Sequence, residues 1–334
     1  MNNLKKVGLT ALAGSLVVTS AVAGEMSVSG GASIGLKNTT KTSTGRSWTM
    51  GNQLTFSGSG ELDNGMNVSL SFVLDQGDET TETSARSPFD SHSVTVSSDS
   101  LGSLVFSGEG GSSASGAIDT TAAGDLWDNG SGFGTPASAE AGDNSMLYTL
   151  PSLMDDVTIK AGYSPGSAGG PGATSFSVGF TGVEGLSVDL GVGDTETIGT
   201  TATQTVMKAS YAIGSFTVAA SSNEYDYSLA TQNDEETTSW QIAYTVSDDL
   251  SVSYGSETRD TATKTVDEEA EAINVSYTTG GVTISATQYE FTGRNNTTTE
   301  SATGGDTERW ALSCLLYTSP SPRDYAASRM PSSA

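Results

Sequence analysis

Asp63-Asn-Gly-Met-Asn-Val-Ser-Leu-Ser-Phe-Val-Leu74 is a turn followed by a strand, and it is the clearest statement of the chain's architecture. Asp63-Asn64-Gly65 is a tight-turn signal, because Asn and Gly tolerate the backbone conformations that a sharp reversal needs. Behind it, Met66, Val68, Leu70, Phe72 and Leu74 alternate with Asn67, Ser69 and Ser71. Apolar residues at every second position line one face of an extended strand and leave the other face polar.

Working outward, the same period recurs over about ten residues at a time. Upstream it runs from Met26-x-Val28 through Ile34-x-Leu36, then Trp48-x-Met50-x-x-x-Leu54-x-Phe56. Downstream it returns in Val94-x-Val96, Leu104-x-Phe106, Met146-x-Tyr148-x-Leu150, Val157-x-Ile159-x-Ala161-x-Tyr163 and Phe176-x-Val178-x-Phe180. It continues in Leu186-x-Val188-x-Leu190, Met207-x-Ala209-x-Tyr211, Phe216-x-Val218, Trp240-x-Ile242-x-Tyr244-x-Val246 and Leu250-x-Val252-x-Tyr254. Ile273-x-Val275-x-Tyr277 and Val282-x-Ile284-x-Ala286 follow, which makes fifteen complete strands, and 307–313 begins a sixteenth.

The connections alternate as well. Short ones fall at 62–65, 99–102, 151–155, 182–185, 213–214, 247–249 and 279–281. Long polar ones fall at 38–45, 77–89, 109–143, 164–173, 193–202, 223–237, 256–270 and 291–306. Short turns at one end and long loops at the other are the rhythm of an up-and-down membrane barrel. The rival all-β architecture, a soluble barrel or solenoid, needs an apolar inside and a polar outside. Here the aromatics Trp48, Phe72, Phe176, Phe180, Tyr211, Trp240, Tyr244 and Tyr254 share the aliphatic face, and several lie near strand ends, as in the girdles of a lipid-facing band. The reading is a transmembrane antiparallel β-barrel of sixteen strands.

Composition agrees and excludes much else. Forty of 334 residues are Gly and only 16% are charged, a mixture that suits strands and turns better than helices. A net charge of −25 excludes a phosphate-backbone partner, so no nucleic acid is expected. A single His cannot anchor a His-based triad or a multi-His zinc site. No catalytic residue, metal or cofactor is expected.

Both ends stand apart. Lys5 and Lys6, the mostly apolar run from Val7 to Val18 and Ala21-Val22-Ala23 read as a secretory signal over residues 1–23. At the other end, Cys314 to Asp324 and Ser328 to Ala334 back-translate to the two ends of a transposon-type sequencing adapter, in the right order. Residues 314–334 are therefore expected to be an artefact tail that truncates the closing strand after Ser313. Without Lys5, Lys6, Arg323 and Arg329 the 14 basic residues fall to 10, and without Asp324 the 39 acidic ones fall to 38. The mature segment 24–313 then stands near −28.

Two segments carry a family resemblance. Ser100-Leu-Gly-Ser-Leu-Val-Phe-Ser-Gly108 resembles the turn and strand that feed the constriction loop of the general bacterial porins of the Gram-negative outer membrane. Asp143-Asn-Ser-Met-Leu-Tyr-Thr-Leu-Pro151 is similar to the segment that leaves that loop. The resemblance covers 24–313. It implies a water-filled channel for passive diffusion of small hydrophilic solutes and ions, reached through the periplasm and seated among outer-membrane lipid and lipopolysaccharide as a homotrimer. It also implies that the intervening loop, about 109–143, folds into the barrel. The loop lacks the family's common Pro-Glu-Phe element, which leaves its path open. A structural or adhesive barrel without an open channel is the alternative.

The candidate pore residues follow from loop position and strand phase. The acidic loop supplies Glu109, Asp119, Asp125, Asp128, Glu140 and Asp143 and no basic residue. The lumen phase of the strands carries Lys37, Lys160, Lys208 and Arg309, with Asp75 and Asp189 as acidic counterparts. These cations are expected to face the loop carboxylates across the constriction and set up a transverse field, with a net preference for cations. Trp127 and Phe133 are candidate loop anchors. The runs at 78–82, 234–236 and 267–269 are expected to be solvated external faces.

Overall fold

The computed structural model describes residues 26–39, 45–75, 89–118, 121–130, 132–139, 143–166, 172–197, 200–229, 231–300 and 304–318. The signal at 1–23, Asp119, Glu140, the acidic run at 78–82 and the tail beyond 318 lie outside them.

Sixteen strands close into one antiparallel barrel, each bonded to its neighbours in sequence and the last to the first. On one side of the wall stand β1 (Met26–Thr39), β2 (Gly45–Glu61), β3 (Asn67–Asp75), β4 (Phe89–Ser98), β5 (Gly102–Glu109) and β6 (Ser145–Thr149). Next come β7 (Val157–Ser164), β8 (Ala173–Val183), β9 (Leu186–Thr197), β10 (Thr200–Ile213) and β11 (Phe216–Tyr227). The wall is completed by β12 (Glu235–Ser247), β13 (Leu250–Thr261), β14 (Glu268–Thr279), β15 (Val282–Arg294) and β16 (Gly305–Thr318). The Asp63-Asn-Gly signal makes its turn: Gly65 takes φ +80°, and Met66 N–H donates to Asn64 Oδ1 at 3.1 Å.

Exposure inverts the arrangement of a soluble protein. Trp48, Met50, Leu190, Met207 and Ile273 are each more than half exposed on the outside, whereas Ser115, Gln204 and Glu257 are fully buried within. Apolar side chains facing outward are stable only in lipid, and closure leaves no strand edge unsatisfied there.

The structure departs from the sequence reading at the strand ends. Strands β9 to β16 extend at their long-loop ends beyond the alternating runs marked in the sequence, so that the connections at 193–202, 223–237, 256–270 and 291–306 contract to 198–199, 228–234, 262–267 and 295–304. Polar residues carry the backbone ladder beyond the lipid band, where alternation of hydropathy is no longer enforced.

The closing strand is also not truncated. It runs to Thr318, with Ile34 opposite Cys314, Ala32 opposite Leu316 and Gly30 opposite Thr318. Pairing needs only extended backbone and the right phase, and Cys314 and Leu316 continue the outward series of Trp310 and Leu312. Where these codons came from is a separate question from whether the residues can pair.

Candidate functional site in the barrel lumen

The long connection between β5 and β6 folds into the barrel and lies along the inner wall from β8 to β16. Its anchors are inward-phase polar side chains of the strands. Ser175 Oγ accepts from Ala114 N–H at 2.7 Å, and Gln204 Oε1 accepts from both Ser115 Oγ (2.8 Å) and Ala139 N–H (2.9 Å). Gln204 is itself held by Asn223, whose amide donates to the carbonyl of Ala137. Ser221 and Ser239 accept from Ala122 and Ala123 N–H at 2.9 and 2.8 Å. Farther along, Glu257 accepts from Leu126 N–H at 3.2 Å and Glu268 from Gly134 N–H at 3.0 Å. A loop that makes no ladder must find partners for its backbone, and the wall supplies them.

Small residues in the wall let the loop come close. A Cβ at Gly193 would sit 2.5 Å from Ala139 Cβ, and one at Gly255 would sit 2.9 Å from Ala123 Cβ. The loop's apolar face then completes a cluster with Ala123, Leu126, Phe133, Ala270, Ala272, Tyr289 and Phe291, against which Trp127 and Ala311 pack. Phe133 thus anchors the loop, its ring 6.2 Å from that of Phe291, and Trp127 is half-covered at the same place.

The predicted site residues separate into three groups. Asp125 heads the short 3-10 turn Leu126–Asn129 and Asp128 lies within it, both exposed, while Leu126 of the same turn is buried against the wall. Asp125 sits at φ +52° and accepts from Thr121 Oγ1 at 2.7 Å, which fixes it at the head of the turn. Glu109 does not join them. A bulge at His92/Ser93 turns it outward beside His92, with Oε2 3.9 Å from Nδ1. Asp143 lies exposed at the loop's exit, beside β6.

The basic residues do not form a row opposite the loop. Arg309 lies beneath it, donating to the carbonyl of Asn129 and resting over the Tyr289 ring. Lys160, Lys208 and Asp189 share a recess under the first limb of the loop, beside Ala117 and Ile118. Lys37 faces inward next to Ala311, one strand beyond Arg309. Asp75 ends β3, opposite Gln53 in register. The inward face of β2 to β5 across from the loop is mostly hydroxyl and amide (Ser47, Thr49, Gln53, Thr55, Ser57, Ser69, Ser71, Ser93, Thr95 and Ser107) with Val73 and Val105 among them, and with no basic residue among those described.

Sequence reasoning missed the loop's seat. The inward Ser, Gln and Asn were read as pore lining, yet many of them hold loop backbone. Two acidic runs also behave differently from solvated faces: Glu235 and Glu268 turn inward and grip Arg259, each at 2.7 Å, with the Glu268 side chain only 2% exposed. Arg259, Glu257 and Glu268 could have been found by carrying the strand phase two turns past Tyr254 and back from Ile273.

The sequence profile of Gram-negative porins matches residues 8–298. No curated protein matches in sequence. Among solved structures, an anion-selective porin from Comamonas acidovorans superposes with a TM-score of 0.66 at 12% identity, covering 88% of this chain and 100% of that one. OmpT, an outer membrane protein of Vibrio cholerae, superposes with a TM-score of 0.64 at 16% identity, covering 90% and 100%. A porin structure refined at 1.8 Å has a TM-score of 0.65 at 15% identity, covering 88% and 100%. At these identities the likeness is one of fold.

Proposed function

The chain belongs to the Gram-negative porin family and is an outer-membrane porin, and from that premise we propose that its lumen passes small hydrophilic solutes and ions by passive diffusion with a preference for cations. The observation that carries the preference is the placing of charge on the loop. Asp125 and Asp128 are exposed on it, Arg309 donates to the carbonyl of Asn129 and is close enough to Asp128 to offset part of its charge, and the facing wall is mostly Ser, Thr and Gln with no basic residue among those described. Fixed negative charge in a narrow, low-dielectric-walled passage concentrates cations. The expected field is therefore less transverse than phase alone implied, because the main basic side chains stand beside and beneath the loop and not across from it.

Reversal potentials under a KCl gradient test the preference. Wild-type protein shows potassium more permeant than chloride, and Asp125→Asn with Asp128→Asn brings the ratio severalfold closer to unity at low salt. Near 1 M salt the two proteins converge, since the screening length falls to about 3 Å. An anion-selective wild type, or a ratio unmoved by the double substitution, refutes the reading. The channel is read as non-enzymatic; its single His, His92, faces the outer wall beside Glu109, away from the lumen.

We also propose a homotrimer among outer-membrane lipid and lipopolysaccharide. The wall is low at β5 and β6, which have eight and five residues. Five residues rise about 12 Å at a 45° tilt, against an apolar band near 25 Å, which supports a second copy covering that sector. Phe72, Val94, Phe106 and Met146 line a groove on its outside. Val94→Arg with Phe106→Arg converts the oligomer to monomers on unheated gels and in light scattering; an unchanged oligomer refutes this contact. Residues 1–23 are read as the export signal and 24–313 as the porin segment proper, with an adapter origin for 314–334.

A further inference from the structure

A recess of about 270 Å³ lies between the first limb of the loop and the inner wall of β7 to β10. It is on the periplasmic side of the loop: Asp189 is three residues from the periplasmic start of β9, and Lys208 is five from the periplasmic end of β10. Lys208 and Asp189 are directly opposed in register. Asp189 is opposed on its other side by Gly179, which has no side chain to occupy the space. A Cβ there would lie 2.6 Å from Asp189 Oδ1, so the carboxylate leans over β8 toward β7, the strand that carries Lys160. Ser187 steadies it with a 3.3 Å hydrogen bond.

The recess therefore holds two ammonium groups around one carboxylate. Its excess is one positive charge, in a protein that is strongly acidic elsewhere. Hydroxyls of Thr158, Ser177 and Ser210 add donors on the floor, while Ala117 and Ile118 form an apolar lip. Rotatable ammonium and hydroxyl donors around a cavity of this size match a small group with two or more negatively charged oxygens. The single acid between the lysines offsets half of their charge and keeps the site weak, so that an occupant can leave again, as passage through a channel requires.

We propose that the Lys160–Asp189–Lys208 recess beneath the loop is a docking site for small oxyanions, carboxylate or phosphate. This rests on the reading of the chain as an open diffusion channel. A cation-preferring constriction and an anion station just inside it make separate demands, and the two sets of charges lie on different limbs of the loop.

The test uses purified full-length protein in planar bilayers carrying KCl current, titrated with potassium phosphate or potassium succinate. Wild-type current is blocked at millimolar concentrations, with the lower half-blocking concentration for addition from the periplasmic side. Lys160→Gln with Lys208→Gln raises that concentration at least tenfold. Asp189→Asn lowers it severalfold, a direction that general damage to the wall would not produce. Arg46→Gln with Lys264→Gln removes the same two charges from exposed positions away from the recess and leaves the block as in wild type. Block by one salt alone assigns the site to that oxyanion. A conducting channel that neither salt blocks, or a double Gln variant blocked at the wild-type concentration, overturns the recess alone. A protein that inserts and does not conduct overturns the channel reading and the recess with it.

Discussion

A chain ending at Ser313 does not reach the folded barrel, whereas one ending at Thr318 folds as the full-length chain does. Removing residues 314–318 takes the partners of Gly30 to Ile34 on β1 and of Val282, Thr283 and Ile284 on β15. These positions lie at the periplasmic end of the barrel, where the lipid offers nothing to bond. A polar backbone group left unpaired in an apolar medium costs about 2–7 kcal/mol, so three or four stranded groups cost on the order of 10 kcal/mol. Whole domains are stable by about 5–15 kcal/mol, and the deficit is of that size. The measurement is the heat-dependent shift in gel mobility that marks a folded barrel, with far-UV circular dichroism beside it. A folded, heat-modifiable species from the shorter chain would show that β1 and β15 can close without the last five residues.

Excising the loop, with residues 112–141 replaced by a short Gly-Ser link, raises single-channel conductance about twofold or more. A sixteen-strand barrel leaves an aqueous channel of its own, and the loop occupies part of it. The same excision removes Asp125 and Asp128, so cation preference falls as conductance rises. Stability falls too. Phe291 and Ala270, now fully buried, lose Leu126 and Phe133 as partners, and the buried carboxylates Glu257 and Glu268 lose the loop N–H groups that they hold. Burial of one large apolar side chain is worth about 1.5–3 kcal/mol, which makes the expected loss several kcal/mol, read as a lower unfolding temperature in detergent. Unchanged conductance in a folded, loop-less barrel would mean that the constriction lies elsewhere.

The two outcomes separate what residue order declares from what packing decides. The strand run from Met66 to Leu74 was legible because a two-residue period has no other stable home. The turn at Asp63-Asn-Gly was equally plain, since few residues accept Gly65's conformation. By contrast, β13 looked finished at Tyr254, yet it continues to Thr261. Beyond the lipid band the ladder is held by backbone bonds and by ion pairs such as Arg259 with Glu235 and Glu268, and an alternation of hydropathy carries no trace of either.

The candidate site was legible in its location and misleading in its pairing. Loop length and order marked 109–143, and Asp125 and Asp128 do stand together on it. Glu109 and Arg309 carry the right charge and were assigned to facing positions, but a one-residue bulge sends the first outward and the loop covers the second. Neither event has a signature in charge or period. A bulge changes phase through one extra residue, and a loop chooses its path through the sum of many weak contacts.

Residue order alone specifies the barrel. Alternating apolar residues must face lipid, and the backbone between them must pair, so sixteen such segments have one way to close. Which polar residues line the pore and which hold the loop is settled by packing, because Ser175, Gln204 and Ser239 have the same phase and chemistry as the rest of the lumen wall. What distinguishes them is the loop backbone lying within hydrogen-bond distance, and that proximity exists only once the chain has folded.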